Sequence, residues 1–198
     1  MPKSFMQAVL VTGLILLLGL PGAADNSDQV KSLLKTKIDK VLEVLKQPDL
    51  SETQKRRQIM DEISPVIDFP LMAKLSLGKQ HWQSLSEKQR KDFVDLFVKR
   101  LKNSYLDKTS LYSDQEVVYE EPLTGSGKVA IPTKITTNEE PVKVIYKFYR
   151  PGDAWKIYDI EIEGVSFIKS YRSQFNEILK DGTVEDLFKN LQKSAKEE

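Results

Sequence analysis

The chain has no cysteine among its 198 residues and only one histidine, His81. The first absence excludes disulfides, thiol catalysis and thiolate metal sites; the second excludes any metal centre built on several imidazoles. Excess charge of either sign is also missing, with 30 basic against 29 acidic residues. A chain so balanced lacks the electrostatic footprint of sequence-independent nucleic-acid binding, and no basic run with interleaved aromatics stands out. Nucleic acid is therefore not an expected partner. Long apolar runs are scarce too, because only residues 9–20 form one.

That run has the layout of an export signal. Lys3 precedes it, and the small residues of Pro21-Gly22-Ala23-Ala24 follow it before the first acid, Asp25. It is shorter than the ~20 apolar residues that span a bilayer, so residues 1–24 read as a signal peptide cleaved after Ala24. Removing them takes away one lysine and no acid, which leaves a formal charge of zero. What remains, residues 25–192, is long enough to build a core without disulfides, and residues 193–198 read as a charged, disordered tail.

Periodicity divides this remainder into helices, strands and helices. Val30, Leu33, Leu34, Ile38, Val41, Leu42 and Leu45 recur at helical spacing up to Pro48. Ser51 with Gln54, and Ser86 with Gln89, are capping-box pairs that open helices carrying Ile59 and Ile63, and Phe93, Leu96, Phe97, Leu101 and Tyr105. Between them a short helix spans Phe69 to Leu77 and is closed by Gly78 in the left-handed conformation. From about Asp114 the period becomes 2, and four strands are expected: residues 116–120, 128–137, 142–150 and 155–163. Turns at Gly125-Ser126-Gly127, Asn138-Glu139-Glu140 and Pro151-Gly152-Asp153 make them an antiparallel meander. Pro132 removes a ladder donor, which marks an edge strand or a bulge. After Gly164 the helical period returns through Phe167, Tyr171 and Phe175, and Thr183 caps a last helix. The fold class is α+β in one domain.

The last strand is out of phase with itself. Trp155 and Ile157 are odd, whereas Tyr158, Ile160 and Ile162 are even. Either a bulge sits near Ile157 and Tyr158, or this end of the sheet is apolar on both faces. Asp159, Glu161 and Glu163 alternate along the same strand. A solvated face explains the row without further assumption; acid–base chemistry or calcium binding is the alternative. His81 has no evident partner and reads as structural or exposed, and Gly125-Ser126-Gly127-Lys128 lacks the spacing of a phosphate loop. No catalytic residue, metal ligand or cofactor site is assigned. The many aromatics either form ordinary core or in part line an apolar cavity.

Three stretches carry a resemblance: Asp68-Phe69-Pro70-Leu71-Met72-Ala73 with Leu77-Gly78 and Trp82; Phe93 through Leu101 to Tyr105; and Trp155-Lys156-Ile157-Tyr158-Asp159-Ile160 running into Glu163-Gly164-Val165-Ser166 and Tyr171-Arg172-Ser173-Gln174-Phe175. In order and spacing they resemble the MlaC-type periplasmic phospholipid carriers, also called toluene-tolerance or organic-solvent-tolerance auxiliary proteins. The resemblance implies a helical layer packed in a curved four-stranded antiparallel sheet, with C-terminal helices, similar to the nuclear-transport-factor-like (NTF2-like) fold and enclosing an apolar pocket. It implies no enzyme but a periplasmic carrier of phospholipid. Its partners would be an outer-membrane lipoprotein complex and an inner-membrane transporter of the ATP-binding-cassette (ABC) type with an MCE-domain protein, and its role the upkeep of outer-membrane lipid asymmetry. The pocket wall expected on this basis comprises Leu71, Leu75, Phe97, Leu101, Tyr105, Val144, Tyr146, Phe148, Ile160, Ile162 and Val165, with Trp155 as a gate. Arg172 is expected at the headgroup or in a structural role, pairing with Asp159. Two other readings remain: an envelope adaptor or chaperone that binds protein, and an enzyme of the same fold that uses Asp159.

Overall fold

The computed structural model describes residues 23–106, 115–136 and 140–194. The signal-peptide expectation therefore falls outside the described residues up to position 22, as does most of the charged tail. Among these residues five α-helices come first: α1 (Ala23–Leu45), α2 (Glu52–Ile63), α3 (Phe69–Leu77), α4 (Lys79–Ser84) and α5 (Glu87–Leu106). Six strands follow, β1 (Val117–Tyr119), β2 (Leu123–Gly125), β3 (Lys128–Ile135), β4 (Val142–Tyr149), β5 (Lys156–Ile162) and β6 (Val165–Ser166), then α6 (Phe167–Asp181) and α7 (Val184–Ser194). None of these helices is long and apolar enough to cross a membrane.

Capping fixes the helix starts. Gln54 N–H donates to Ser51 Oγ at 3.3 Å while Ser51 N–H donates to Gln54 Oε1 at 2.9 Å, and Ser86 with Gln89 repeats the box ahead of α5. Asp68 Oδ1 accepts from Leu71 N–H at 2.9 Å, and Ser166 Oγ from Lys169 N–H at 3.2 Å, so α3 and α6 start where their carboxylate or hydroxyl satisfies a free donor. Gly78 has positive φ, 83°, but ψ is 158°, extended instead of left-handed helical. Only glycine adopts this pair freely, and it lets α4 start directly after α3.

The sheet is antiparallel in the order β1-β3-β4-β5-β6, with β2 also on β3. It holds six strands where the alternation predicts four; β2 and β6, of three and two residues, are too short to show a period. Pro132 is not on an edge strand, since β3 pairs β4 along one side and β1 and β2 along the other. The ladder breaks on that second side between Tyr119 and Leu123, and Pro132 O accepts from Glu120 N–H at 2.9 Å. The nitrogen and carbonyl of a strand residue point the same way, so the missing donor faces the break.

The phase slip in β5 is a bulge. Lys147 pairs Asp159 but Phe148 pairs Ile157, which leaves Tyr158 as the extra residue. It turns outward, with its ring 5.8 Å edge-on from Tyr149 and 4.9 Å from the Lys128 ammonium. Asp159 is a correction to the solvated row of acids: it is only 4% exposed. Its carboxylate accepts from Lys147 Nζ at 3.1 Å, Ser166 Oγ at 2.8 Å and Ile168 N–H at 3.2 Å, tying β4, β6 and the first turn of α6 together. Glu161 takes the other side of Lys147 at 2.6 Å, and of the three only Glu163 is exposed.

Two cores result. One joins α3, α5, α6 and α7 around Phe93, Phe97, Tyr171, Phe175, Leu187 and Leu191. The other joins α1 to the inner sheet face around Val30, Leu34, Val129, Ile131, Phe148, Trp155 and Ile157.

Candidate functional site

The second core does not close. Where α1 and α2 cross the sheet they leave a cavity of about 320 Å³. Its roof is Leu34, Ile38, Val41, Leu42 and Leu45 of α1, with Ile59 and Ile63 of α2; Val66 and Ile67 close one side. Its floor is Val117, Ile135, Tyr146, Ile157 and Ile160, one or two residues from each of β1, β3, β4 and β5. Ile157 and Ile160 lie three apart, an odd interval that would place them on opposite faces of a regular strand. The bulge at Tyr158 brings both inward, so it widens the apolar floor. A second cavity of about 110 Å³ shares Ile63, Ile67 and Ile160 with the first and reaches Met72, Leu101 and Phe167.

Few polar atoms face the main cavity. Tyr146 lies in its floor, and burial pushes its phenol up to about 12. Tyr119, beside it, is also raised, by burial first and then by the charge of Asp39 and by Tyr146. Gln115 Oε1 and Tyr119 OH are buried without a hydrogen-bond partner, which is unusual for native polar groups. Among the described residues Lys37 is the one charged member of the lining; its ammonium meets Glu62 Oε1 of α2 at 2.6 Å, and Lys40 reaches the same oxygen at 3.3 Å. Hydrogen bonding from Lys37 holds the Glu62 carboxyl below its usual range, against burial, with Lys40 adding to the effect.

The expected pocket residues are dispersed. Tyr146 and Ile160 line the main cavity, and Ile160 and Leu101 line the smaller one. Phe97 and Phe148 are fully buried, one in each core, and Val144 is buried on the inner side of β4, paired with Thr133 and Ile162. Leu71 and Ile162 are half-buried, and Val165 is 58% exposed. Trp155 is buried at the start of β5, donating from Nε1 to Gln29 of α1 at 3.2 Å. The Tyr105 side chain lies outside the described residues. Most of the lining, from α1 and α2, was absent from the expected set. One sequence signal did point to it: the apolar stripe of α1 is broader than a single helix–sheet contact needs.

Leu75 and Arg172 occupy a different place, a cleft of about 680 Å³ that shares no lining residue with the cavity. Arg172 donates from Nε to the Leu75 carbonyl at 2.9 Å, and from Nη2 to the same oxygen, which anchors α6 to the end of α3. Asp159, the alternative partner, is taken by Lys147. Lys74, Lys79, His81, Trp82 and Arg90 are among the other residues that line the cleft. Among the described residues no group of three or more His, Asp or Glu could hold a metal ion, and Asp159 does not line the main cavity.

Two comparisons with known proteins give matches. A family model described as MlaC protein matches residues 35–193. Among solved structures, the phospholipid-binding protein from Ralstonia solanacearum, in complex with a phospholipid, is 28% identical with a TM-score of 0.75; the match covers 83% of this chain and 95% of that one.

Proposed function

The chain belongs to the MlaC family, and from that premise we propose that it is a periplasmic carrier that holds the acyl chains of a glycerophospholipid in the α1–α2–sheet cavity. The observation that carries the proposal is the lining itself: aliphatic side chains from two helices and four strands around a space that a folded core would ordinarily fill. The similarity to a protein solved with bound phospholipid supports it. A volume near 320 Å³ lies at the lower end of the ~300–1,000 Å³ usual for ligand pockets. Loading two chains therefore enlarges the cavity, by movement of α1 and α2 away from the sheet. We read the arrangement as NTF2-like.

The energetics suit a shuttle. Each buried CH₂ is worth ~0.8 kcal/mol, so two long chains left in water would cost roughly 20 kcal/mol or more, and unaided escape from a bilayer is slow. A carrier that offers an equivalent apolar wall moves lipid between an outer-membrane lipoprotein complex and an inner-membrane ABC-type transporter with an MCE-domain protein, and so maintains outer-membrane lipid asymmetry. This role uses no nucleophile, metal or cofactor. The protein purified from a membrane-containing host should yield about one phospholipid per chain on solvent extraction and mass spectrometry. Repeated recovery of lipid-free protein that takes nothing from phospholipid vesicles would sink the proposal.

A further inference from the structure

We infer that Lys37 and Lys40 of α1 form the seat of the lipid's phosphodiester, and that Glu62 of α2 holds that seat when no lipid is bound. The inference rests on the carrier reading above. Its basis is a local charge imbalance at one point of a wall that is otherwise uncharged among the described residues. Among the described residues Lys37 is the only charged one lining the main cavity, and its side chain is 21% exposed, so it spans from the apolar interior to solvent. Glu62, 23% exposed, accepts from it at 2.6 Å and meets Lys40, 51% exposed, at 3.3 Å. Two ammonium groups thus share one carboxylate, leaving one unit of positive charge beside the cavity. A phosphodiester carries one negative charge and several acceptor oxygens, and the glycerol links it to the chains within bonding reach of the apolar wall.

The geometry makes Glu62 and the phosphate competitors for the same donors. Without a phosphate the carboxylate would satisfy Lys37, which would otherwise present an unpaired charge beside an apolar wall. With lipid bound, the phosphate bridges Lys37 and Lys40 and Glu62 turns to solvent. Lys37–Glu62 also fastens α1 to α2 over the cavity, so the exchange loosens the roof as the chains enter.

Competition gives the two sides of the pair opposite signs. The test loads the full chain and its variants from vesicles of phosphatidylglycerol, with diacylglycerol of the same chains as the uncharged probe and with inorganic phosphate and glycerophosphate as soluble anions. Lys37→Gln with Lys40→Gln should weaken phosphatidylglycerol binding about tenfold relative to diacylglycerol, the size of a charge-assisted hydrogen bond, the ratio cancelling any loosening of the α1–α2 roof that both lipids share. Glu62→Gln should bind phosphatidylglycerol several-fold tighter. Lys40→Gln alone, an exposed change that leaves Lys37–Glu62 intact, keeps the test open if either of the others fails to fold, and should weaken phosphatidylglycerol alone. Weaker binding in Glu62→Gln would make the pair merely structural and overturn the inference. So would lysine variants that match wild type on phosphatidylglycerol, an outcome that leaves the carrier reading standing. Soluble phosphate or glycerophosphate that competes as strongly as the lipid would overturn the lipid source. Wild-type protein that takes up neither lipid removes the carrier reading and this inference together.

Discussion

The two cores are both apolar, yet the larger cavity opens in one of them, while the other borders only the smaller cavity, at Met72 and Leu101. In the helical core Phe97 sits 5.2 Å edge-on from Tyr171, and Phe175 lies 5.6 Å from Phe93 and 5.6 Å from Tyr171. Flat rings on neighbouring helices interlock at such distances and leave little space. Around the cavity the described side chains are almost all aliphatic, with Tyr146 the only aromatic among them. Short branched side chains from a bulged sheet cannot reach those of α1 and α2 across the gap. Hydrophobicity alone therefore does not mark the binding half; side-chain shape and sheet curvature do.

Truncating a ring should hurt the helical half most. Phe175 is 1% exposed and touches three other rings, so Phe175→Ala should cost roughly 3–5 kcal/mol. Urea unfolding measures it, and lipid per surviving folded chain should stay at the wild-type value. A loss below about 1 kcal/mol would mean the helical core also has room to collapse.

Adding volume separates the halves more sharply. Ala73 is fully buried in the helical core, and Ala73→Leu should cost about 1–3 kcal/mol through overpacking. Val41 faces the cavity, so Val41→Phe should change stability by less than about 1 kcal/mol while cutting lipid loading severalfold. Equal destabilisation by both would show that the space under α1 is already filled in solution.

These contrasts explain what the sequence could and could not show. Helix starts at Ser51, Ser86 and Thr183 were legible because capping depends on residues three apart. The slip at Ile157 and Tyr158 was legible as an irregularity, and pairing across β4 and β5 resolved it as a bulge. Strands β2 and β6 were not, since two or three residues carry no period. Asp159 was misplaced on a solvated face, because alternation assigns a side to a residue but cannot see Lys147 and Ser166 covering it. The cavity wall was only partly legible for a related reason: Leu34 and Ile38 have the same local pattern whether they meet another side chain or an empty space. The sites that depend on long-range contact, Lys37 with Glu62 above all, leave no mark in local spacing.

The smallest effect expected is a response of the sheet half to alkali. Burial holds the Tyr146 phenol at about 12, and burial together with the Asp68 carboxylate, which accepts from its hydroxyl, holds Tyr149 at about 12, against an ordinary value of 10.0. Unfolded chains ionise these phenols first, so above pH 10 the unfolded state binds fewer protons and stability falls. The stabilisation is complete below pH 10 and lost progressively up to about pH 12. Tyr146→Phe removes one of these raised phenols, and its unfolding midpoint should decline less steeply with pH across that window. Because Tyr146 lies in the cavity floor, its phenolate absorbance should also rise at higher pH than that of an exposed tyrosine. Parallel declines in the wild type and in Tyr146→Phe would show that water already reaches the phenol, and that the cavity is wet where its lining is most apolar.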